Sequence, residues 1–318
     1  MSVNKRLIGA GATDTGGGGG AITPTNHFDT LIWTGTGSAR QISGLNFQPD
    51  LVWYKERSNT SSHEWLDSTR GATNYIMSNS DNAQATSAQG LQSFDSSGFS
   101  VGNDGAVNQN GETYVAWCWH ANGGNTSSNT NGTITSTVQA NDAAGFSIVK
   151  YVGDGNSART VGHGLSAKCD LVIIKIIDQS DKWIIQTPQL GDNARTVFVG
   201  APAVTNDSTT AQAGNDTVFG IGGDNSVNKS GDNHIAYCFR NISGYQKIGT
   251  YTGNGSATGP TIDLGFEPAF LMIKRSSSTG NWLIFDNKRS TTNTRDKLLF
   301  ANDSAAEQTL AYVDFLSN

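Results

Sequence analysis

Internal repetition restricts the fold of this chain more than any other property, because stacked or tandem copies of one unit must share one architecture. Three segments open alike. The first reads Trp33-Thr-Gly35-Thr-Gly37-Ser38-Ala39-Arg40, then Gly44-Leu45 and Pro49-Asp-Leu-Val-Trp-Tyr-Lys55. The second runs from Tyr151 through Gly153, Gly155 and Arg159 to Gly164-Leu165 and Asp170-Leu-Val-Ile-Ile-Lys175. The third runs from Tyr251 through Gly253 and Gly255 to Leu264-Gly-Phe266 and Glu267-Pro-Ala-Phe-Leu-Met-Ile-Lys274. Each continues to a Trp that starts an apolar run, at Trp65, Trp183 and Trp282. A closing signature recurs in the first two copies: Val107-Asn108, Gly111-Glu112 and Val115-Ala116-Trp117-Cys118-Trp119 match Val227-Asn228, Gly231-Asp232 and Ile235-Ala236-Tyr237-Cys238-Phe239.

The third copy lacks that ending. At the spacing of the second, its cysteine would fall near position 337, beyond Asn318. Two strands are therefore expected to be missing, either because the polypeptide continues or because a neighbouring chain completes the sheet; the first is the favoured reading. The resulting organisation is an N-terminal arm over 1–27 with five glycines from Gly16 to Gly20, too flexible to pack alone. Repeat 1 follows over 28–121, a polar linker over 122–145, repeat 2 over 146–246 and an incomplete repeat 3 over 247–318.

Composition sets the fold class. Gly, Ser, Thr and Asn make up 132 of 318 residues, and all four favour turns and caps over helix interiors. Hydrophobic residues still reach 36 %, enough for real cores. The expectation is all-β: tandem antiparallel β-sandwiches of jelly-roll or Greek-key kind. In repeat 1, strands are expected near 31–34, 39–43, 50–57, 63–68, 74–79, 91–95, 98–102 and 113–120. Alternation places Val115, Trp117 and Trp119 on one face of the last strand and Tyr114, Ala116 and Cys118 on the other. The aromatic face reads as the inter-sheet core. The small-residue face reads as a place of close approach, for a crossing segment or a second subunit.

Few residues carry chemistry. The net charge is −6 with no Lys/Arg cluster, which argues against nucleic acid, and no apolar run approaches a membrane span. Cys118, Cys169 and Cys238 have no CxxC spacing and read as buried thiols in a chain matured without oxidation, as in a cytoplasm. The Gly35-x-Gly37 turns lack the rest of a phosphate loop. His27, His63, His120, His163 and His234 show no metal spacing. Asp67 and Asp286 hold matched places, with Gln186 in the second copy, and invite comparison with a glycosidase pair. Pairing of Asp67 with Arg70 and of Asp286 with Arg289 is the preferred reading. Arg40 and Arg159 read as turn residues, Asp224-Asn225 and Asn302-Asp303 as turn chemistry. Tyr54 or Tyr245, if exposed, could stack on sugar rings. No catalytic, cofactor-binding or metal residue is expected, and the chain is not read as an enzyme.

The Pro49 to Lys55 strand, Asp67-Ser-Thr-Arg-Gly-Ala-Thr73, the stretch from Gly90 to Phe99 and Gly111 to Trp119 together resemble a β-rich domain of unknown function. That domain is repeated in tail-fibre-like structural proteins of bacteriophages, marine ones especially. The resemblance implies a virion component made in the bacterial host cytoplasm: a tail fibre or fibre-like appendage, attached to other virion proteins through residues 1–27 and contributing to host adhesion. It further implies a homo-oligomer, a trimer by preference, with a host surface glycan as a partner. The alternatives are a capsid decoration or head-fibre protein, and a carbohydrate-binding module without catalysis.

Overall fold

The structure, a computed structural model, describes residues 22–317 and the backbone of residues 3–10; the Gly16 to Gly20 run lies outside the described residues. Among these the chain is all-β, with antiparallel sheets stacked as sandwiches. The first strand, β1 (Val3–Ala10), precedes three modules. Module 1 contains β2 (Phe28–Thr34), β3 (Arg40–Ser43), β4 (Leu51–Glu56), β5 (Glu64–Asp67), β6 (Asn74–Met77), β7 (Ala85–Thr86), β8 (Leu91–Asp95), β9 (Gly98–Val101) and β10 (Thr113–Trp119). Module 2 contains β11 (Ser127–Asn129), β12 (Ser136–Asn141), β13 (Phe146–Val152), β14 (Arg159–Gly162), β15 (Leu171–Ile176), β16 (Ile184–Gln186), β17 (Ala194–Thr196), β18 (Thr205–Asn206), β19 (Val218–Ile221) and β20 (Asn233–Phe239). Module 3 contains β21 (Gln246–Gly253), β22 (Phe270–Arg275), β23 (Leu283–Asp286), β24 (Arg295–Phe300) and β25 (Gln308–Val313). The stretch 122–145, expected as a polar linker, carries β11 and β12, and β12 pairs along its whole length with β13.

Each module has one large sheet, and the large sheets share a strand order. In module 1 it is β2-β10-β4-β5-β6-β7; in module 2, β13-β20-β15-β16-β17-β18, extended by β12 and β11. The closing strand, β10 or β20, thus lies between the first strand of its module and the strand that carries Lys55 or Lys175. Module 3 has the order β21-β1-β22-β23-β24-β25. The slot of the closing strand is filled by β1, paired with β21 from Val3↔Gly253 to Ala10↔Gln246 and with β22 from Lys5↔Arg275 to Ala10↔Phe270. The sequence pointed to a longer polypeptide or a neighbouring chain as the source of that strand; here the chain's own N-terminus supplies it.

Alternation divides the closing strands as expected, but the aromatic face packs between modules and not between the two sheets of one module. Trp117, Trp119, Tyr237 and Phe239 lie in one cluster shared by all three modules, with Trp53, Trp65, Trp183, Phe198, Phe270, Met272 and Trp282. The large sheets therefore turn their aromatic faces inward to a common core. Ala116 and Cys118 belong to module 1's own sandwich core with Leu45, Phe47, Leu91, Phe99 and Val107, under the small outer sheet β3-β9-β8. Ala236 and Cys238 sit likewise under β14-β19. Small residues are needed there because the outer sheet packs close, not because a second subunit does. With both faces covered, β4 and β15 are buried at every position, and the period-2 pattern disappears from them.

Candidate functional site

The glycine pair that opens the first two repeats is built for contact within the module. A Cβ on Gly35 would lie 2.1 Å from the Gln109 carbonyl oxygen, and one on Gly153 would lie 2.3 Å from that of Lys229. These carbonyls follow the single helical turns α1 (Gly105–Asn108) and α2 (Asn225–Asn228), capped by Asp104 and Asp224, whose Oδ1 atoms accept from Ala106 N at 3.0 Å and Ser226 N at 2.9 Å. Asn108 Oδ1 accepts from Thr36 N at 2.9 Å, and Asn228 Oδ1 from Asp154 N at 2.9 Å. The Val-Asn of the closing signature is thus a clasp on the Gly-x-Gly turn. Arg40 donates to the Thr34 carbonyl at 3.0 Å, and Arg159 pairs with Asp154 at 2.7 Å, so both stabilise the same turn.

The carboxylates that matched a glycosidase pair are fully buried at module boundaries. Arg70 Nε lies 2.5 Å from Asp67 Oδ2, which also accepts from Tyr237 Oη of module 2 at 2.7 Å. Arg289 Nε lies 2.5 Å from Asp286 Oδ2, which accepts from Trp117 Nε1 of module 1 at 3.0 Å. Strand register places Thr187, not Gln186, opposite Leu171 as Asp67 is opposite Leu51; Gln186 instead points into its own module and donates to the Thr210 and Gly220 carbonyls. The same register aligns Trp183 and Trp282 with His63, two residues before Trp65. Trp183 Nε1 donates to the Met77 carbonyl of module 1 at 2.9 Å, and Trp282 Nε1 to the Val197 carbonyl of module 2 at 3.1 Å. His63 faces the backbone of Phe300 in module 3, and burial holds its ring neutral, well below its ordinary pKa.

One repeated feature is not among the residues singled out by sequence: Lys55, Lys175 and Lys274 are completely buried. Each Nζ donates to the next residue's carbonyl and to the carbonyl four residues on, at Asn59, Gln179 and Ser278, closing the loop after the strand. Burial pulls Lys55 and Lys175 down to about 8. The signal was present, since a lysine ends the same apolar strand three times. Another buried group, Asp50, accepts from Ala121, Gly123 and Gly124 N–H at 2.7, 2.8 and 2.7 Å and fixes the turn after β10. Burial alone would raise its carboxyl, but donors including His120 and Ser68 bring it below its ordinary value.

Tyr54 and Tyr245, the aromatics considered for sugar stacking, are buried at 1 % exposure. Tyr54 donates to Glu64, and Tyr245 meets His27 edge-on. The three cysteines are free and buried. Among the described residues no group of His, Cys, Asp and Glu is arranged to hold a metal ion.

The outer face of module 3 is covered in a different way, by loop and C-terminal side chains such as Ile262, Leu264 and Phe315. Its positions Leu271, Ile273 and Phe285 correspond by register to Val52, Tyr54 and Leu66, which the outer sheet covers in module 1. Among the described residues module 3 has no such outer sheet. A Cβ on Gly37 would meet Asn110 and one on Gly155 would meet Ser230, whereas one on Gly255 would meet nothing within 4 Å. A groove of about 980 Å³ results, lined by Tyr251, Ile273, Leu283, Phe300 and Phe315, with Arg275, Asn281 and Asp314 as polar members. Tyr312, at 62 % exposure, stands at it.

No curated protein and no solved structure matches the chain. Residues 23–318, which hold all three modules and exclude β1, match the family described as a domain of unknown function, DUF7483, and the chain belongs to that family.

Proposed function

We propose that the protein is a bacteriophage virion structural protein, a tail fibre or fibre-like appendage that contributes to host adhesion and self-associates, with a homotrimer as the expected form. The observation that carries the reading is where the polar residues of the repeat signatures go. Asp67, Arg70, Asp286, Arg289 and the three lysines are all spent inside the molecule, on turns and module boundaries. A chain whose recurrent charges are all structural is built as a scaffold, and the outer surface of such a scaffold is free to carry Gly, Ser, Thr and Asn. The test is mass spectrometry of purified particles with labelled antibody to locate the chain. Absence from the particle overturns the reading; presence on the capsid in place of the tail selects the head-fibre alternative.

A carbohydrate-binding role on the same particle is favoured by one observation, the groove of module 3 with exposed Tyr312 beside Arg275, Asn281 and Asp314. Aromatic faces bordered by hydrogen-bonding groups suit sugar rings. A glycan array probed with the full chain and with Tyr312→Ser tests it: binding lost in the variant supports the role, and silence of the parent removes it.

A further inference from the structure

The closing strand of module 3 differs from its counterparts in how it is attached. β10 and β20 follow α1 and α2 after four residues and are followed at once by anchored turns, at Asp50 in module 1 and at Asp170, which accepts from Asn241 N at 2.6 Å, in module 2. Neither strand can leave its sheet without unfolding its own module. β1 is joined to the modules only through residues 11–22, and the family match begins at residue 23, beyond it. Twelve residues span at most ~40 Å.

β1 nevertheless belongs in the slot, and the module boundaries show it. By register Ile8 takes the position of Trp117 and Tyr237. Those two aromatics each donate to a buried carboxylate of a neighbouring module, Asp286 and Asp67. By register the third closing strand has Ile8 in place of these donors, and in module 2 the equivalent acceptor position holds Thr187 and the arginine position Leu190. One closing strand lacks the donor and one module lacks the ion pair, so the sequence of module 2 is matched to β1 as occupant.

Two backbone ladders, to β21 and to β22, hold β1 in the sheet. Where module 1 has Val115, Trp117 and Trp119, β1 brings Arg6, Ile8 and Ala10. Main-chain pairing is indifferent to which copy donates the strand. An identical strand from a second copy makes the same ladders with β21 and β22, and exchange of identical elements between copies is a low-cost route to association.

We propose that β1 is an exchangeable latch: Val3–Ala10 of one copy enters the slot between β21 and β22 of a second copy in place of that copy's own strand. Reciprocal exchange closes a dimer, and cyclic exchange closes a ring of three. The inference does not depend on the protein's being part of a virion.

Lys5 and Arg275 are paired across the ladder, and Arg275 is exposed, so the full-length double variant Lys5→Cys/Arg275→Cys places two thiols where a disulfide fits without disturbing the core. The three native cysteines are buried and stay out of the reaction. Oxidised across a hundredfold range of protein concentration, the variant is expected to give an intrachain bridge at the dilute end. Covalent dimers and trimers grow in toward the concentrated end. Two populations with tags of different size, mixed before oxidation, then give mixed species. Intrachain bridges alone at every concentration overturn the proposal, as do covalent dimers of equal yield from Lys5→Cys alone. Sedimentation of the unsubstituted chain is the second measurement: self-association is expected, and it is lost in Gly9→Pro, which removes a ladder donor. A parent that sediments as a monomer throughout, or a Gly9→Pro variant that associates unchanged, overturns it as well.

Discussion

Modules 1 and 2 are finished from within, and module 3 is not. The first two carry their own closing strand, an outer sheet over the small-residue face, and a helical turn clasping the Gly-x-Gly loop. Module 3 keeps the same central strands, the same buried lysine and the same glycines, but takes its closing strand from the N-terminus and leaves its outer face as a groove. The difference separates two jobs that a β-sandwich normally merges. The inward aromatic face holds the three modules together. The outward face makes each module a sandwich, and only that layer is left incomplete in module 3. Stability of the assembly and availability of a surface are thereby assigned to different faces of one sheet.

The largest expected effect tests the inward face. Asp67→Ala leaves the buried Arg70 guanidinium without its carboxylate and should cost about 3–5 kcal/mol. Thr187→Ala, at the equivalent position of module 2, loses only the hydroxyl bond to the Ala194 carbonyl at 3.0 Å, about 1 kcal/mol. Denaturant melts of the two variants in parallel measure the contrast. Equal losses would mean that the boundaries are not distinguished by the occupant of the closing strand.

Much of this architecture was legible in the sequence. The eight strands expected in module 1 correspond to β2–β6 and β8–β10, because Gly and Asn turns bracket each apolar run. The Asp67 and Arg70 pairing was legible too, from three-residue spacing at a strand end. Two things were not. Alignment on Trp65, Trp183 and Trp282 slipped by two residues in module 1, since a strand moved by two keeps every side chain on its proper face and leaves the pattern intact. Second, β1 carries none of the aromatics that mark β10 and β20, and it pairs with residues about 240 to 270 positions away. Nothing local in Arg6-Leu-Ile-Gly-Ala10 announces such a partner.

An intermediate effect concerns the outward face, where module 1 has a phenol–carboxyl pair at positions that are aliphatic in modules 2 and 3. Tyr54 and Glu64 are opposite each other on β4 and β5; register gives Ile174 and Ile184 in module 2, and Ile273 and Leu283 in module 3. Burial raises the Glu64 carboxyl from 4.5 to about 7, against the opposing pull of the Tyr54 hydroxyl. A raised carboxyl stabilises the fold fully below its unfolded value and loses that contribution as pH climbs through about 7. Stability attributable to Glu64 should therefore fall by up to ~3 kcal/mol between pH 4.5 and 7. Replacing the pair by that of module 2, Tyr54→Ile with Glu64→Ile, should flatten this part of the profile. A slope unchanged in the double variant would place its origin elsewhere.

The smallest effect is expected where the comparison predicts least structural commitment. Tyr312 is 62 % exposed at the groove, on a strand whose residues are mostly open to solvent. Tyr312→Ser should change the unfolding free energy by no more than about 0.5 kcal/mol, the range of ordinary surface positions. Phe99→Ala, in the outer sheet that covers the matching face of module 1, should cost about 3–5 kcal/mol, since Phe99 is wholly buried and packs edge-on against Trp33. Tyr312 lines the groove of module 3 and Phe99 covers the matching face of module 1, so the contrast measures what an outer sheet contributes. A near-neutral Tyr312 variant leaves that side chain available to a ligand. A costly one would show that β25 already serves as the missing cover, and that the groove is a packed part of module 3 with no surface to offer.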